Sequence, residues 1–112
     1  HTGCPVQMAL TVPNNGALDF LRPEDVCELS CTLDRDGVHP HKVNYVPEMQ
    51  KNLICTVKQY ENLTVEAIMT HNRQKAVQAL TLPPLVCSYP LAEALVDAYA
   101  KQYQDYIGAW EK

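Results

Sequence analysis

The sequence predicts an α+β fold in which a small antiparallel sheet of about three strands is followed by three helices. Apolar and polar residues alternate with a period of two before residue 48, and the apolar period lengthens to about 3.6 residues after it. Five of the eight prolines lie before residue 48, three lie between 83 and 90, and none lies in 48–82 or 91–112. Because an interior proline disrupts a helix, the two proline-free stretches are the predicted helical regions.

Three segments of the first part form the predicted sheet. Apolar residues alternate with polar or small ones from Val6 to Val12 and from Cys27 to Leu33, which is typical of half-buried strands. The sequence Asp34-Arg35-Asp36-Gly37 predicts a hairpin turn. The chain then returns as a short edge strand from Val38 to Val43, which carries Pro40.

The helices are predicted from apolar spacing and from their first residues. A long helix starts at Pro47, since proline is favoured in a first helical turn. The pattern restarts at His71, where Asn72 can cap a second helix, and a last helix runs from about Leu91 to Ile107. One apolar stripe lies on the long helix: Met49, Leu53, Ile54, Val57, Tyr60, Ala67 and Ile68. Core or interface positions are predicted for three tyrosines of the last helix: Tyr99, Tyr103 and Tyr106.

Charge and hydropathy exclude two classes of partner. The chain carries 9 Lys and Arg against 13 Asp and Glu, a formal charge of −4, and both halves are mildly acidic. No basic stripe is present to neutralise phosphates, which argues against a nucleic-acid partner. No apolar run approaches the roughly 20 residues of a membrane span, and no signal-peptide pattern opens the chain, so we expect no membrane partner.

The cysteines predict a reducing compartment. There are five of them: Cys4, Cys27, Cys31, Cys55 and Cys87. An odd number without regular spacing argues against a disulfide scaffold, and strand geometry places the Cα atoms of Cys27 and Cys31 roughly 13 Å apart, too far to bridge. We therefore expect buried, reduced thiols and a cytoplasmic protein. A metal or redox sensor that combines Cys27 and Cys31 with His39 and His41 is the weaker alternative, because both histidines are predicted in a surface loop.

The acidic residues form no catalytic pair by spacing. Asp34 and Asp36 flank the predicted turn, where carboxylates usually accept hydrogen bonds from turn amides. Glu61 is predicted on a solvated face of the long helix, whereas Glu66 fits either a solvated or a functional position. The sequence therefore predicts no general acid and base within this chain.

One turn is the candidate for a position that faces a cleft. Asn14, Asn15 and Gly16 follow the first strand and could supply polar groups to a cleft, although a plain turn is the simpler interpretation. Ser30 and Ser88 lack the sequence of a nucleophile elbow, and none of the four glycines belongs to a phosphate-binding loop.

Five ordered segments of the chain form a recognisable set. They read MALTVPNNGAL (Met8–Leu18), VCELSC (Val26–Cys31), DGVHP (Asp36–Pro40), LTVEA (Leu63–Ala67) and KAVQALTL followed by PLV (Lys75–Val86). In this order they resemble the C-terminal part of glycoside hydrolase family 4. The likeness extends from about Val6 to Ile107 and is greatest to the 6-phospho-glucosidases. Two departures affect local packing: Cys27-Glu28-Leu29 stands where Val-Glu-Val is usual, and Pro83 stands where a polar residue is usual.

The resemblance implies an unusual hydrolase reaction for the parent enzyme. Such enzymes bind NAD and a divalent metal, usually manganese, and act on a phosphorylated disaccharide or glucoside. They oxidise C3 of the sugar, remove the C2 proton, expel the group on C1, add water and return the hydride. The two-carboxylate route of other glycosidases is not used, so the absence of a carboxylate pair does not conflict with the resemblance.

The resemblance also implies which parts are missing from this chain. In that family the Rossmann half, the metal-binding Cys and His and the catalytic Tyr and Asp lie upstream of the matching region. No catalytic, cofactor-binding or metal-binding residue is therefore carried over to this chain. Residues 1–112 are expected to form a single domain on the substrate side of the cleft, similar to part of the C-terminal domain of lactate and malate dehydrogenases, and to help form a homo-oligomer.

Two interpretations of the whole chain remain open at this point. The chain begins with His1 rather than Met, and the leading expectation is a C-terminal fragment of a longer 6-phospho-glucosidase, inactive without its Rossmann half. Such a fragment would expose apolar surface that meets the missing half. The alternative is a stand-alone binding or assembly module that derives from this family and has no catalytic activity.

Overall fold

A computed structural model describes residues 3–110 of the protein, which divide after residue 51 into two structural units. The first unit contains an antiparallel sheet with the strand order β1-β2-β3. Its strands are β1 (Val6–Pro13), β2 (Val26–Asp34) and β3 (Gly37–Pro40). The predicted α+β class and the predicted three-stranded sheet are both confirmed.

The β2–β3 hairpin closes where the sequence predicts it. Asp34 pairs with Gly37, so Arg35 and Asp36 form a two-residue loop. Gly37 has φ +131°, a backbone conformation that disfavours residues with a Cβ. The carboxylate of Asp34 accepts a hydrogen bond from the backbone N–H of Asp36 at 2.8 Å, which confirms the predicted role of this acidic residue.

The third strand is shorter than the predicted span from Val38 to Val43, because the chain leaves the sheet after Pro40. The N–H of His41 still donates to Ser30 O at 2.9 Å. Two residues later, however, the N–H of Val43 donates to the carbonyl of Ala17, which belongs to the loop after β1. Because Val43 bonds to this loop and not to β2, the strand does not continue to Val43.

The core of the first unit lies on one face of the sheet. Four buried residues form it: Ala17, Leu18, Leu29 and Cys31. Half-buried side chains from β1, β2, the loop between them and the segment before the first helix pack around them: Leu10, Val12, Phe20, Leu21, Cys27, Leu33 and Val46. Successive residues of β1 and β2 therefore point in turn towards this core and towards the opposite face of the sheet, which explains the alternation of apolar and polar residues in the sequence.

The second unit is helical, and the longest of its helices begins just before the division at residue 51. The helices are α1 (Glu48–Thr70), α2 (Arg73–Thr81), α3 (Tyr89–Gln102) and the short α4 (Gln104–Ile107). Within residues 3–110, none of them is both long enough and apolar enough to cross a membrane. Its buried core is Val77, Ala92 and Val96, with Ala76, Leu80 and Val86 packed against it.

The last helical region differs from the prediction at both ends. It starts at Tyr89 rather than at Leu91, since the Ser88 side chain caps the helix by accepting from the Leu91 N–H at 3.4 Å. It is also interrupted at Tyr103, whose φ of −109° and ψ of 18° are not helical. The single predicted helix is therefore two helices, α3 and α4.

The joint between α1 and α2 consists of two residues with defined roles. His71 has φ +51°, and its N–H donates to Ile68 O at 3.3 Å, while the Asn72 N–H donates to Ala67 O at 2.9 Å. This pair of bonds is the Schellman arrangement that ends a helix. The Asn72 side chain then accepts from the Lys75 N–H at 3.0 Å, which confirms the predicted cap of α2.

The apolar stripe of α1 is largely uncovered in this chain. Ala67 is the buried residue of the helix, whereas Met49 is 73% and Leu53 is 52% exposed. Val57 and Ile68 are exposed as well. The predicted stripe exists as a helix face, but the described residues do not bury most of it.

Candidate functional site

Asn14, the first residue of the candidate cleft turn, organises the loop after β1. The residue is 1% exposed, and its amide nitrogen lies 2.8 Å from Leu18 O, 3.1 Å from Leu21 O and 3.2 Å from Arg22 O. Its side-chain oxygen accepts from the Leu18 N–H at 2.7 Å. All polar atoms of this side chain are therefore engaged within the loop.

Asn15 and Gly16 form the exposed tip of the same turn. Both have positive φ, +45° and +86°, which suits asparagine and glycine. The Asn15 N–H donates to Pro23 O at 2.9 Å, which fixes the tip to the other end of the loop. These two residues can present polar groups to a ligand, whereas Asn14 holds the loop that carries them.

An ion pair that the sequence analysis did not identify closes this loop. Asp25 is buried, and its carboxylate accepts from the Arg22 N–H at 3.0 Å and from Arg22 Nη2 at 2.9 Å. The hydrogen bond that the guanidinium donates to Asp25 raises the pKa of Arg22 above its ordinary value. The Asp25 carbonyl also accepts from the Asn14 N–H at 2.7 Å, so the two buried polar residues support each other.

The two histidines bind separate partners. His39 Nε2 lies 2.9 Å from the carboxylate of Asp34, and His41 Nε2 lies 2.7 Å from the hydroxyl of Thr32. The hydrogen bond from His39, followed by that from the Asp36 N–H, lowers the pKa of Asp34 below its ordinary value. Within the described residues no cluster of three or more His, Cys, Asp or Glu could hold a metal ion.

The cysteines correct one prediction. All five are free, but Cys31 is the fully buried one, with Sγ 3.4 Å from Leu29 O. Cys27 and Cys55 are half-buried, and Cys4 and Cys87 are exposed, so the prediction of five buried thiols is wrong for these two. Both exposed cysteines lie outside the regular elements, where no apolar periodicity indicates burial.

Two glutamates of α1 form ion pairs at the surface. Glu61 bonds Lys58 on the same helix, and Glu66 bonds Lys75 of α2. Exposed pairs of this kind contribute little to stability and do not indicate acid–base chemistry. Ser88 is a helix cap, as described above, so none of these groups has the contacts of a catalytic residue.

The second unit contains an open pocket of about 570 Å³, lined by both apolar and charged residues, that the sequence analysis did not identify. Arg73 lies at its wall, with Nε 2.7 Å and Nη2 3.0 Å from the Asp97 carboxylate and Nη1 3.5 Å from Glu93. Asp97 and the more distant Glu93 raise the pKa of Arg73. Two carboxylates neutralise the Arg73 guanidinium, and Lys101 is the second cationic side chain on the wall of this pocket. The spacing of four residues between Glu93 and Asp97 on one helix was the available signal.

An apolar groove of about 250 Å³ lies in the same unit. Tyr99 and Tyr103 line it but are 51% and 46% exposed, and Tyr106 is 87% exposed, so a core position is wrong for all three within the described residues. An interface position for them stays a prediction. The indole N–H of Trp110 is buried at the groove without a hydrogen-bond partner in residues 3–110. The Trp110 ring meets His71 edge-on, with ring centroids 6.4 Å apart.

A comparison with models of protein families shows to which family this chain belongs. The model of the family 4 glycosyl hydrolase C-terminal domain matches residues 1–86, which is most of the chain. The chain belongs to glycosyl hydrolase family 4. It is 29% identical over 94 residues to a probable 6-phospho-beta-glucosidase of Bacillus subtilis and 33% identical over 100 residues to a 6-phospho-alpha-glucosidase of Leptotrichia buccalis.

Solved structures of family 4 enzymes share the fold. A 6-phospho-alpha-glucosidase from gut microorganisms, in complex with NAD and glucose-6-phosphate, superposes with a TM-score of 0.87 at 28% identity and covers 97% of this chain. The structure of such an enzyme with NAD and Mn²⁺ gives a TM-score of 0.86 at 25% identity over 95% of this chain. The family and the cofactors of its full-length enzymes, both inferred from the resemblance, are thereby confirmed.

The family 4 match covers a limited part of each relative. The chain spans 21% of the Bacillus subtilis protein, 23% of the Leptotrichia buccalis protein and 25% of the gut-microorganism structure. Most of the length of such an enzyme therefore has no counterpart in this chain.

Proposed function

We propose that this chain is the C-terminal portion of a 6-phospho-glucosidase, which hydrolyses phosphorylated glucosides with NAD and manganese. The match to the family 4 C-terminal domain carries the proposal, since it covers residues 1–86. It is supported by relatives named as 6-phospho-glucosidases and by solved structures of such enzymes with NAD and Mn²⁺. Five free thiols fit a reducing compartment, so the proposed location is the cytoplasm.

The residues that the structure describes do not fit the metal or the dinucleotide. The described part holds no cluster of His, Cys, Asp or Glu for a metal, and its glycines are scattered at positions 3, 16, 37 and 108. A dinucleotide site instead needs closely spaced glycines between a strand and a helix. The proposal therefore assigns the chain a structural contribution to the substrate side, and it assigns no turnover to the isolated chain.

A domain replacement tests whether the chain can act as this part of the enzyme. The aligned segment of the Bacillus subtilis relative is replaced by this chain, and release of p-nitrophenol from p-nitrophenyl β-glucoside 6-phosphate is measured with NAD and Mn²⁺. We expect activity within about tenfold of the parent enzyme, equivalent to ~1.4 kcal/mol of transition-state stabilisation.

Two controls accompany the replacement. The relative truncated before the aligned segment is expected to be inactive, and so is the isolated 112-residue chain. Turnover by the isolated chain with NAD and Mn²⁺ would contradict the proposal that this chain has no catalytic activity without the rest of the enzyme. Equal activity of the truncated relative and the chimera would show that this chain adds nothing to the enzyme.

The exposed turn tip provides a finer test. We propose that the loop held by Asn14 presents Asn15 and Gly16 to the substrate cleft. Asn15→Gly removes the side-chain amide and keeps the positive φ, so in the chimera it should change KM several-fold without unfolding the protein. Asn52→Ala, at an exposed position of α1, is the matched control and should leave KM unchanged. If both variants had the same KM as the unaltered chimera, the turn would not face the substrate cleft.

The alternative of a stand-alone assembly module is supported by the exposed apolar face of α1. An assembly module needs a surface of this kind for its partner. The alternative predicts that the chimera is inactive even though the isolated chain folds, so the domain replacement distinguishes the two functions.

A further inference from the structure

The turn after β1 contains a backbone nitrogen that can act as a nucleophile. The Ala17 N–H donates to Asn14 O at 2.8 Å and closes a four-residue turn, with Asn15 and Gly16 at its centre. Both central residues have positive φ, +45° and +86°, as in a type I′ turn. The closing bond does not use the Gly16 N–H, which has no hydrogen-bond acceptor in residues 3–110.

The side chain of Asn15 supplies the carbon that this nitrogen can attack. Asn15 is exposed, and within the described residues its amide group makes no hydrogen bond, whereas the amide of the buried Asn14 is fully engaged. Gly16 leaves the approach open, because a Cβ built on it would meet no atom beyond its chain neighbours within 4 Å. An attack of the Gly16 nitrogen on Cγ of Asn15 closes a cyclic imide.

One peptide flip brings the two groups together without unfolding the loop. Rotation of the peptide unit between Asn15 and Gly16 converts a type I′ turn into a type II′ turn, and the closing bond from Ala17 to Asn14 is common to both. Glycine adopts the new φ without steric cost, while the strain at Asn15 lasts only as long as the flipped state. In that state the Gly16 nitrogen faces the side chain of Asn15. The buried contacts between Asn14 and Leu18 do not have to break.

We propose that Asn15 cyclises spontaneously with Gly16 and loses its side-chain amide. Hydroxide removes the proton of the Gly16 nitrogen, and this nitrogen bonds Cγ of Asn15. The bond from Cγ to Nδ2 then breaks, and Nδ2 takes a proton from water and leaves as ammonia, which regenerates the hydroxide. Water opens the imide at either of its carbonyl groups, which leaves aspartate or isoaspartate at position 15. The reaction needs only water and no other surface of the chain.

The product carries a negative charge at the tip of the turn. An isoaspartate also adds a methylene group to the main chain, so the tip is displaced as well as charged. The consequence for the enzyme rests on the proposed function, in which this tip faces the cleft that binds a phosphorylated glucoside. Like charges repel, so the modified chain should bind such a substrate more weakly and raise KM, with kcat unchanged.

Mass spectrometry of the folded chain tests the modification. The chain is held in neutral and in mildly alkaline buffer, and its peptides are analysed for replacement of an amide by a carboxyl group and for labelling by isoaspartyl methyltransferase. We expect the reaction at Asn15 to be faster in the alkaline buffer, because hydroxide generates the attacking nitrogen. Asn44, an exposed asparagine followed by Tyr45, is the control within the same chain and should react several-fold more slowly, since the tyrosine side chain hinders the approach. Equal rates at the two asparagines would overturn the proposal.

Asn15→Gln provides the matched variant. Its amide lies one methylene group further from the backbone, so the ring that the Gly16 nitrogen would close is larger and forms far more slowly. The variant keeps an amide at the tip, and circular dichroism checks that the fold is unchanged. Conversion at position 15 should disappear, while any slow reaction at Asn44 stays the same. Conversion that is as fast in the variant as in the unaltered chain would overturn the role given to the Gly16 nitrogen.

The consequence for binding is measured in the chimera with Asn15→Asp, which supplies the charge without the chemical reaction. We expect KM to rise several-fold with kcat unchanged. Asn52→Asp adds the same charge at an exposed position of α1 and should leave KM unchanged. An active chimera with the same KM in both variants would overturn the effect on substrate binding. An inactive unaltered chimera would instead contradict the proposed function, since mass spectrometry of the isolated chain tests the reaction at Asn15 independently.

Discussion

Single polar side chains determine the local structure of this chain more than any charged cluster does. Asn14 and Asn72 are the two main examples, one inside the loop after β1 and the other at the joint between α1 and α2. Each satisfies backbone groups that the regular elements leave unpaired. Their substitution should therefore cost more than that of other asparagines.

Asn14→Ala should destabilise the first unit by about 2 kcal/mol or more. The substitution leaves the Leu18 N–H and the Leu21 carbonyl without their partner, whereas the Leu18 and Arg22 carbonyls keep backbone donors. Each unsatisfied buried group costs roughly 1–3 kcal/mol. Urea unfolding followed by circular dichroism measures the change. Asn15→Gly at the exposed tip is the control and should have little effect, since its φ is already positive. Equal losses for the two variants would contradict the role given to Asn14.

Asn72→Ala should cost about 1 kcal/mol, the usual loss for a helix N-cap. The Lys75 N–H loses its side-chain acceptor, whereas the Schellman bonds of the backbone are retained. Thermal unfolding of the variant measures the loss. Gln74→Ala, an exposed position of the same helix, should be nearly neutral. A neutral Asn72→Ala would mean that the cap contributes nothing.

The Asp34–His39 pair predicts a pH effect at the hairpin. The folded-state pKa of Asp34 is lowered by the His39 hydrogen bond, so its contribution to stability is present above the ordinary pKa of 3.8 and is lost as pH falls through the folded value. NMR titration of the Asp34 carboxyl should give a pKa below 3.8, and His39→Ala should raise it towards 3.8. An unchanged pKa in the variant would exclude His39 as the main cause.

At the scale of elements, the helices differ in how much apolar surface they bury. Val77 of α2 is fully buried, whereas the apolar stripe of α1 is mostly exposed. α2 and α3 therefore supply packing energy, whereas the stripe of α1 contributes it mainly through the buried Ala67.

Val77→Ala should cost about 2 kcal/mol, because it removes two buried methyl groups and leaves a small cavity. Met49→Gln, on the exposed stripe, should change the free energy of unfolding by less than about 0.5 kcal/mol. Chemical denaturation of both variants provides the comparison. A large loss for Met49→Gln would show that the stripe is covered in solution.

Elements were predictable where one local signal dominates. The strand alternation, the Asp34–Gly37 hairpin and the Asn72 cap each depend on residues adjacent in sequence, and each is confirmed. The end of β3 was not predictable, since it depends on a contact between Val43 and Ala17. The break at Tyr103 has no proline or glycine to indicate it.

At the scale of the whole molecule, the family was predictable from ordered motifs, and the candidate site only in part. The position of the Asn14–Gly16 turn followed from the sequence, but the engagement of Asn14 by carbonyls up to eight residues away did not. The pairing of Arg73 with Asp97 spans 24 residues and needs the packing of α2 against α3. Two expectations stay predictions: that residues 1–112 act as a single domain, and that they help form a homo-oligomer.

The shared use of Asn72 has a consequence for chain length. One residue both completes the end of α1 and begins α2, so the connection contains no spare position. Inserting a single residue after His71 would force the chain to give up either the terminating bonds or the starting one. Variation in length among family 4 proteins should therefore be absent from this joint and concentrate in loops where one residue does not serve two helices.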